Sequence, residues 1–131
     1  MLDRALRKPL HYAAFNNDVG EIERLIAEGH SPNVADAAGY TPLHFAAQQQ
    51  NPAAIRALLD AGADIDAKDV YGNSPLNRAT FYYVDNGESI RMLLDAGADM
   101  HLANNYGRTP LGLAKMIVNY DSRSHYPESE L

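Results

Sequence analysis

The residues best placed by type to do chemistry are two histidines, His11 and His44, which lie 33 positions apart in matching contexts, Pro9-Leu10-His11 and Pro42-Leu43-His44. Imidazoles in register could begin a metal site. Zinc, however, needs three or four converging ligands, and the matching later positions hold Asn77 and Gly112, so the row ends after two members. His30, His101 and His125 stand at no helpful spacing. The acidic string Asp60, Asp64, Asp66 and Asp69 offers the oxygen ligands that calcium favours. A calcium loop also requires a central glycine and a closing glutamate, and here Ala61-Gly62-Ala63 falls in the wrong place. These aspartates read better as turn residues, whose carboxylates bond the backbone just ahead of them. No metal and no cofactor is expected.

Nucleophilic chemistry finds as little support. There is no Gly-x-Ser-x-Gly elbow, no phosphate-cradling glycine loop and no His-Glu-x-x-His pair. The chain contains no cysteine, which removes disulfides and thiolate nucleophiles and suits a reducing compartment. No catalytic residue is assigned, and an enzyme is not expected.

The elements that would position these side chains are legible from a repeated phrase. Pro9-Leu10-His11, Pro42-Leu43-His44, Pro75-Leu76-Asn77 and Pro110-Leu111-Gly112 recur at intervals of 33, 33 and 35 residues, a period that marks stacked repeats. Thr41, Ser74 and Thr109 stand directly before the prolines, and a hydroxyl N-cap followed by proline at the first helical position opens a helix. Leu43, Ala46 and Ala47 then form an apolar stripe at i, i+3 and i+4, with small residues that let a neighbour approach. A second helix in the same unit starts at Asn51-Pro52, runs through Ile55, Leu58 and Leu59, and stops before Gly62. Between units, Asp36-Ala37-Ala38-Gly39, Asp69-Val70-Tyr71-Gly72 and Asn104-Asn105-Tyr106-Gly107 read as Asx turns closed by a glycine.

The phrases Gly39-Tyr40-Thr41-Pro42-Leu43-His44-Phe45-Ala46-Ala47 and Gly72-Asn73-Ser74-Pro75-Leu76-Asn77-Arg78-Ala79, with Asp60-Ala61-Gly62-Ala63-Asp64 and Asp95-Ala96-Gly97-Ala98-Asp99, closely resemble ankyrin repeats. The resemblance implies an all-α ankyrin-repeat solenoid of stacked helix-turn-helix units with projecting β-hairpin-like turns. It predicts a repeat domain over 1–120, with units at about 3–35, 36–68, 69–103 and 104–120, followed by a polar tail over 121–131. Unit one carries Lys8 where later units have Thr or Ser and so loses a side-chain cap. Two additional residues within Phe81–Gly87 must enlarge the inter-helix loop of unit three, and unit four is too short for a full second helix. The resemblance also implies that the repeat histidine bonds its own threonine and neighbouring backbone. It implies, finally, that the turns and the exposed side of the first helices meet ligands, and there the chain holds Tyr40, Gln48, Tyr71, Asn73, Phe81, Tyr82, Tyr106 and Arg108. Tyr and Arg suit partner binding because they bury much area with few rotating bonds. Alternatively, Tyr71 and Tyr106 pack across neighbouring turns, while Phe81 and Tyr83 fill the space made by the insertion.

Composition sets the remaining bounds. At 131 residues, 46% hydrophobic and 21% charged, the chain fits one folded domain. No apolar run approaches the roughly 20 residues of a membrane span, and the amino end lacks the apolar stretch of a signal peptide, so a cytoplasmic protein with no membrane partner is expected. The net charge of −6 disfavours nucleic acid and favours one basic protein partner, met by a chain that is monomeric when free. The functional expectation is a binding protein. It is read first as an inhibitor, similar to short bacterial ankyrin immunity proteins that neutralise a cognate toxin or enzyme. The alternatives are a regulatory or assembly adaptor or chaperone, or a secreted effector binding a host protein.

Overall fold

The computed structural model describes residues 5–83, 87–116 and 125–127. Seven helices follow one another among the described residues: α1 (Pro9–Phe15), α2 (Val19–Ala27), α3 (Pro42–Gln48), α4 (Pro52–Asp60), α5 (Pro75–Phe81), α6 (Glu88–Asp95) and α7 (Pro110–Met116). They sort into two layers. The first helices α1, α3, α5 and α7 pack side by side in one layer, and α2, α4 and α6 form the other.

Helix starts follow the sequence signals. The Thr41 and Ser74 hydroxyls accept the backbone N–H groups of His44 and Asn77, and Thr109 accepts that of Gly112. These bonds satisfy amides that a helix start leaves without intrahelical partners. Lys8 makes no side-chain cap, as expected, but its own N–H reaches His11 Nδ1 at 2.9 Å. Asn51 caps α4 in position but not through its side chain. Its amide instead donates to the carbonyls of Ala14 and Phe15, which ties unit two to unit one.

The core runs unbroken between the layers. Leu10, Leu43, Leu76 and Leu111 from the first helices meet Ile22, Leu25, Ile55, Leu58, Ile90 and Leu93 from the second. Ala13, Ala14, Ala46, Ala47, Ala79 and Ala114 are buried where first helices approach one another. Their small side chains let backbones come close, so each unit covers its neighbour's apolar face. The inter-helix segment of unit three, residues 82–87, is longer than residues 49–51 of unit two, which places the insertion where the sequence required it.

At the carboxyl end, the tail expectation does not anticipate Tyr126. This side chain is buried in the core, and its hydroxyl lies 2.6 Å from Thr80 Oγ1. Thr80 occupies the place of Ala47 one period earlier, so the tail supplies the partner for a hydroxyl that helix packing alone would leave unpaired. The doubt over a second helix in unit four concerns residues 117–124, outside the described residues.

Candidate binding surface

Every expected site residue is anchored by a turn or a first helix. In each turn one Asx side chain accepts two backbone amides. Asp36 Oδ1 takes Ala38 and Tyr40, Asp69 Oδ1 takes Tyr71 and Asn73, and Asn104 Oδ1 takes Tyr106 and Arg108, all between 2.8 and 3.0 Å. The chain folds back on itself through Asp36 N–H to Tyr40 O, Asp69 to Asn73 and Asn104 to Arg108. Adjacent turns then bond one another: Val70 N–H donates to Ala38 O and Asn105 N–H to Tyr71 O, both at 2.9 Å. Gly39 and Gly72 hold positive φ angles of 77° and 78°, and a Cβ at either would stand 3.0 Å or less from the next turn's backbone nitrogen. Stacking this close therefore needs glycine twice over.

The histidines brace the layer from behind. His44 Nδ1 accepts the Thr41 N–H at 3.0 Å and lies 2.9 Å from the Thr41 hydroxyl, while Nε2 sits 2.8 Å from Asn73 O in the next unit. His11 repeats the pattern, with Nδ1 on Lys8 N–H and Nε2 2.8 Å from Tyr40 O. An acceptor role for Nδ1 leaves Nε2 as the donor, so both nitrogens of each ring are used. Burial holds the His44 imidazole below its ordinary pKa, opposed by the Asn73 carbonyl and by Asp69 and Asp36, and assisted by Arg78. Both ring nitrogens being engaged, neither histidine is available as a metal ligand.

Two grooves open on the face formed by the first helices and turns. One, of about 370 Å³, is walled by Tyr12, Phe15, Tyr40, Phe45 and Gln48 with Arg7 at its rim. The other, of about 520 Å³, lies between α5 and α7 and includes Asn73, Asn77, Phe81, Arg108, Leu113 and Met116. Arg78, which lines the second groove, joins the two. Its guanidinium carbon lies 4.2 Å from the Tyr40 ring centre and 5.7 Å from that of Tyr82, and its Nε is 3.8 Å from Asp69 Oδ2. Burial pushes the Tyr40 hydroxyl up, and the neighbouring Arg78 charge pulls it the other way.

Of the expected residues, Tyr40 and Gln48 line the first groove, and Asn73, Phe81 and Arg108 line the second. Tyr82 stacks edge-on against Phe81 at 5.0 Å. Tyr71 and Tyr106 lie in the turns, exposed to 48% and 73%. Arg7, Tyr12, Phe15, Phe45, Arg78 and Met116 were not anticipated. Tyr12, Phe45, Arg78 and Leu113 occupy one repeat position, and reading that column at its period would have found them.

The charges are segregated in a way that total composition conceals. Glu21, Glu23, Asp60, Glu88 and Asp95 all lie on α2, α4 or α6, whereas the first helices carry Arg78 and Lys115 and no carboxylate. Asp36 and Asp69, at the heads of their turns, are buried beside Arg7 and Arg78 at 3.7 and 3.8 Å. Among the described residues, the ionic groups lining the grooves are the cations Arg7, Arg78 and Arg108.

Among the described residues no three His, Asp or Glu side chains converge as a metal site, and no helix is long and apolar enough to cross a membrane. No curated protein matches the chain. A family model described as "Ankyrin repeats (3 copies)" matches residues 10–104, the span holding the three full units, the stacked turns and the histidine braces. Ankyrin repeats are protein–protein interaction modules, and this chain belongs to the ankyrin-repeat family.

Proposed function

We propose that the chain is a non-enzymatic binding protein that docks its first-helix and turn face on one partner protein and inhibits it by covering its working surface. The observation that carries this reading is the distribution of exposed apolar side chains. Among the described residues, the large exposed hydrophobics are Leu6, Tyr12, Phe15, Val70, Tyr71, Phe81, Tyr82, Tyr106 and Met116, and not one lies on α2, α4 or α6. A one-sided patch of this kind, rich in Tyr and bordered by arginines, has the composition of an interface core. The open grooves offer no enclosed, water-excluding cavity of the kind that tunes catalytic groups.

The test is affinity capture from a lysate of the source organism with the wild-type chain and with the triple variant Tyr71→Ala, Tyr82→Ala, Tyr106→Ala. The expected result is one protein retained by the wild type alone, whose own activity falls when the chain is added. Retention of the same protein by both baits would move the interface elsewhere. Several partners bound at once, with no loss of activity, would replace inhibition by the adaptor role.

A further inference from the structure

The groove between α5 and α7 differs chemically from every other part of the face. Its rim carries two guanidinium groups, Arg78 and Arg108, and its apolar wall is Phe81, Leu113 and Met116. Among the described residues no carboxylate lines it; Asp69 lies buried behind Arg78 and engages that side alone. The Arg108 backbone is pinned to Asn104 on both its N–H and C=O, so the side chain springs from a fixed point. Its guanidinium reaches Met116 Sδ at 2.8 Å, a weak acceptor, and has no carboxylate partner among the described residues. At the base of the groove Asn77 is 2% exposed and its Oδ1 accepts no hydrogen bond. A buried acceptor left open is costly, and a donor that reaches it stabilises the complex.

These features define an occupant. Arg108, with no carboxylate of its own among the described residues and Arg78 beside it already paired with Asp69, calls for an anion, and the planar fork of Arg matches a carboxylate in two-point geometry. The Phe81, Leu113 and Met116 wall calls for an apolar side chain beside that carboxylate. The open Asn77 oxygen calls for an N–H, which a peptide backbone supplies and a free anion does not. Resting on the reading that this face binds protein, we propose that the α5–α7 groove receives an acidic, apolar peptide segment of the partner. An Asp or Glu of that segment would lie between Arg78 and Arg108, with a Leu, Met or Phe next to it on the Phe81–Met116 wall. The partner's docking surface is then acidic, although the chain that binds it is acidic overall.

Selection of displayed random short peptides against the full chain tests this directly. Enriched sequences are synthesised and titrated by fluorescence anisotropy at low and high salt against the wild type, Arg108→Gln, Phe81→Ala and, in the other groove, Phe15→Ala. The expected result is a consensus pairing Asp or Glu with a large apolar residue. Its affinity should fall about tenfold or more in Arg108→Gln and at high salt, fall in Phe81→Ala, and hold in Phe15→Ala. Arg108 is exposed, so its variant keeps the fold; a thermal melt of each variant checks this. A basic or uncharged consensus weakened by Phe15→Ala would overturn the acidic segment while leaving face binding intact. Acidic peptides indifferent to Arg108→Gln, a preference for phosphorylated peptides over carboxylate ones, or no enrichment at all would overturn it too. Peptides insensitive to every substitution, including the three tyrosine changes, would overturn both readings.

Discussion

The junction between units two and three and the junction between units three and four solve the same problem with different residues. At the first, His44 bridges from its own cap to Asn73 O in the next unit, 2.8 Å away. At the second, Asn77 takes the histidine's place, and the shorter side chain makes no such bridge to the following turn. The link is carried instead by Asn104 Nδ2 donating to Asn73 Oδ1 at 2.8 Å, and the larger groove opens beside it. An imidazole placed across a junction locks it; an amide leaves an open acceptor and room for a ligand. The junction after unit two is thus braced by a side chain for which the junction after unit three has no equivalent.

Substitution of the two equivalent residues gives the strongest test of that contrast. His44→Ala should destabilise the chain by about 3 kcal/mol, since it leaves the Thr41 amide and Asn73 carbonyl without a partner and opens a void. Asn77→Ala should cost about 1 kcal/mol or less, because the oxygen removed is already unpaired. Equal shifts of the urea midpoint would break the comparison.

The turns sharpen it at a smaller scale. Gly72→Ala should cost about 2 kcal/mol, combining a positive φ with a collision against Asn105. Gly107→Ala meets nothing within 4 Å of the added carbon and should cost about 1 kcal/mol, the φ penalty alone. Thermal unfolding of the pair separates stacking from backbone strain. Tyr126→Phe removes the hydroxyl that meets Thr80 and should cost roughly 1 kcal/mol, again by denaturant titration. No change would mean that the tail only rests on α5.

The smallest effect concerns pH. Because the folded chain holds His44 below its ordinary pKa, the unfolded chain takes up the proton more readily. The stability from the neutral ring is complete above about pH 6.5, the unfolded value, and is lost as pH falls from there through the lower folded value. Stability of the wild type should therefore decline across this window more steeply than that of His44→Asn. Parallel curves would show that the ring is not held neutral.

Much of the repeat architecture was legible because its signals are local. Thr41-Pro42 and Ser74-Pro75 announce helix starts within a few residues, and Asp69 to Gly72 announces a turn, since each rests on backbone groups close in sequence. The face that carries the expected residues was legible, but the contacts among them were not. Arg78 looks like one more surface arginine until Tyr40, Asp69 and Tyr82, from different parts of the chain, are brought around it.

The sequence by itself determined the period, the proline-marked helix starts, the glycines at the turns and the absence of any catalytic motif, because each depends on residue type and short-range geometry. Only the tertiary structure decided which charges ring the grooves, that Tyr126 completes the core, and that the fourth unit's junction stands open. Those depend on side chains that are distant along the chain and neighbours only once the units stack.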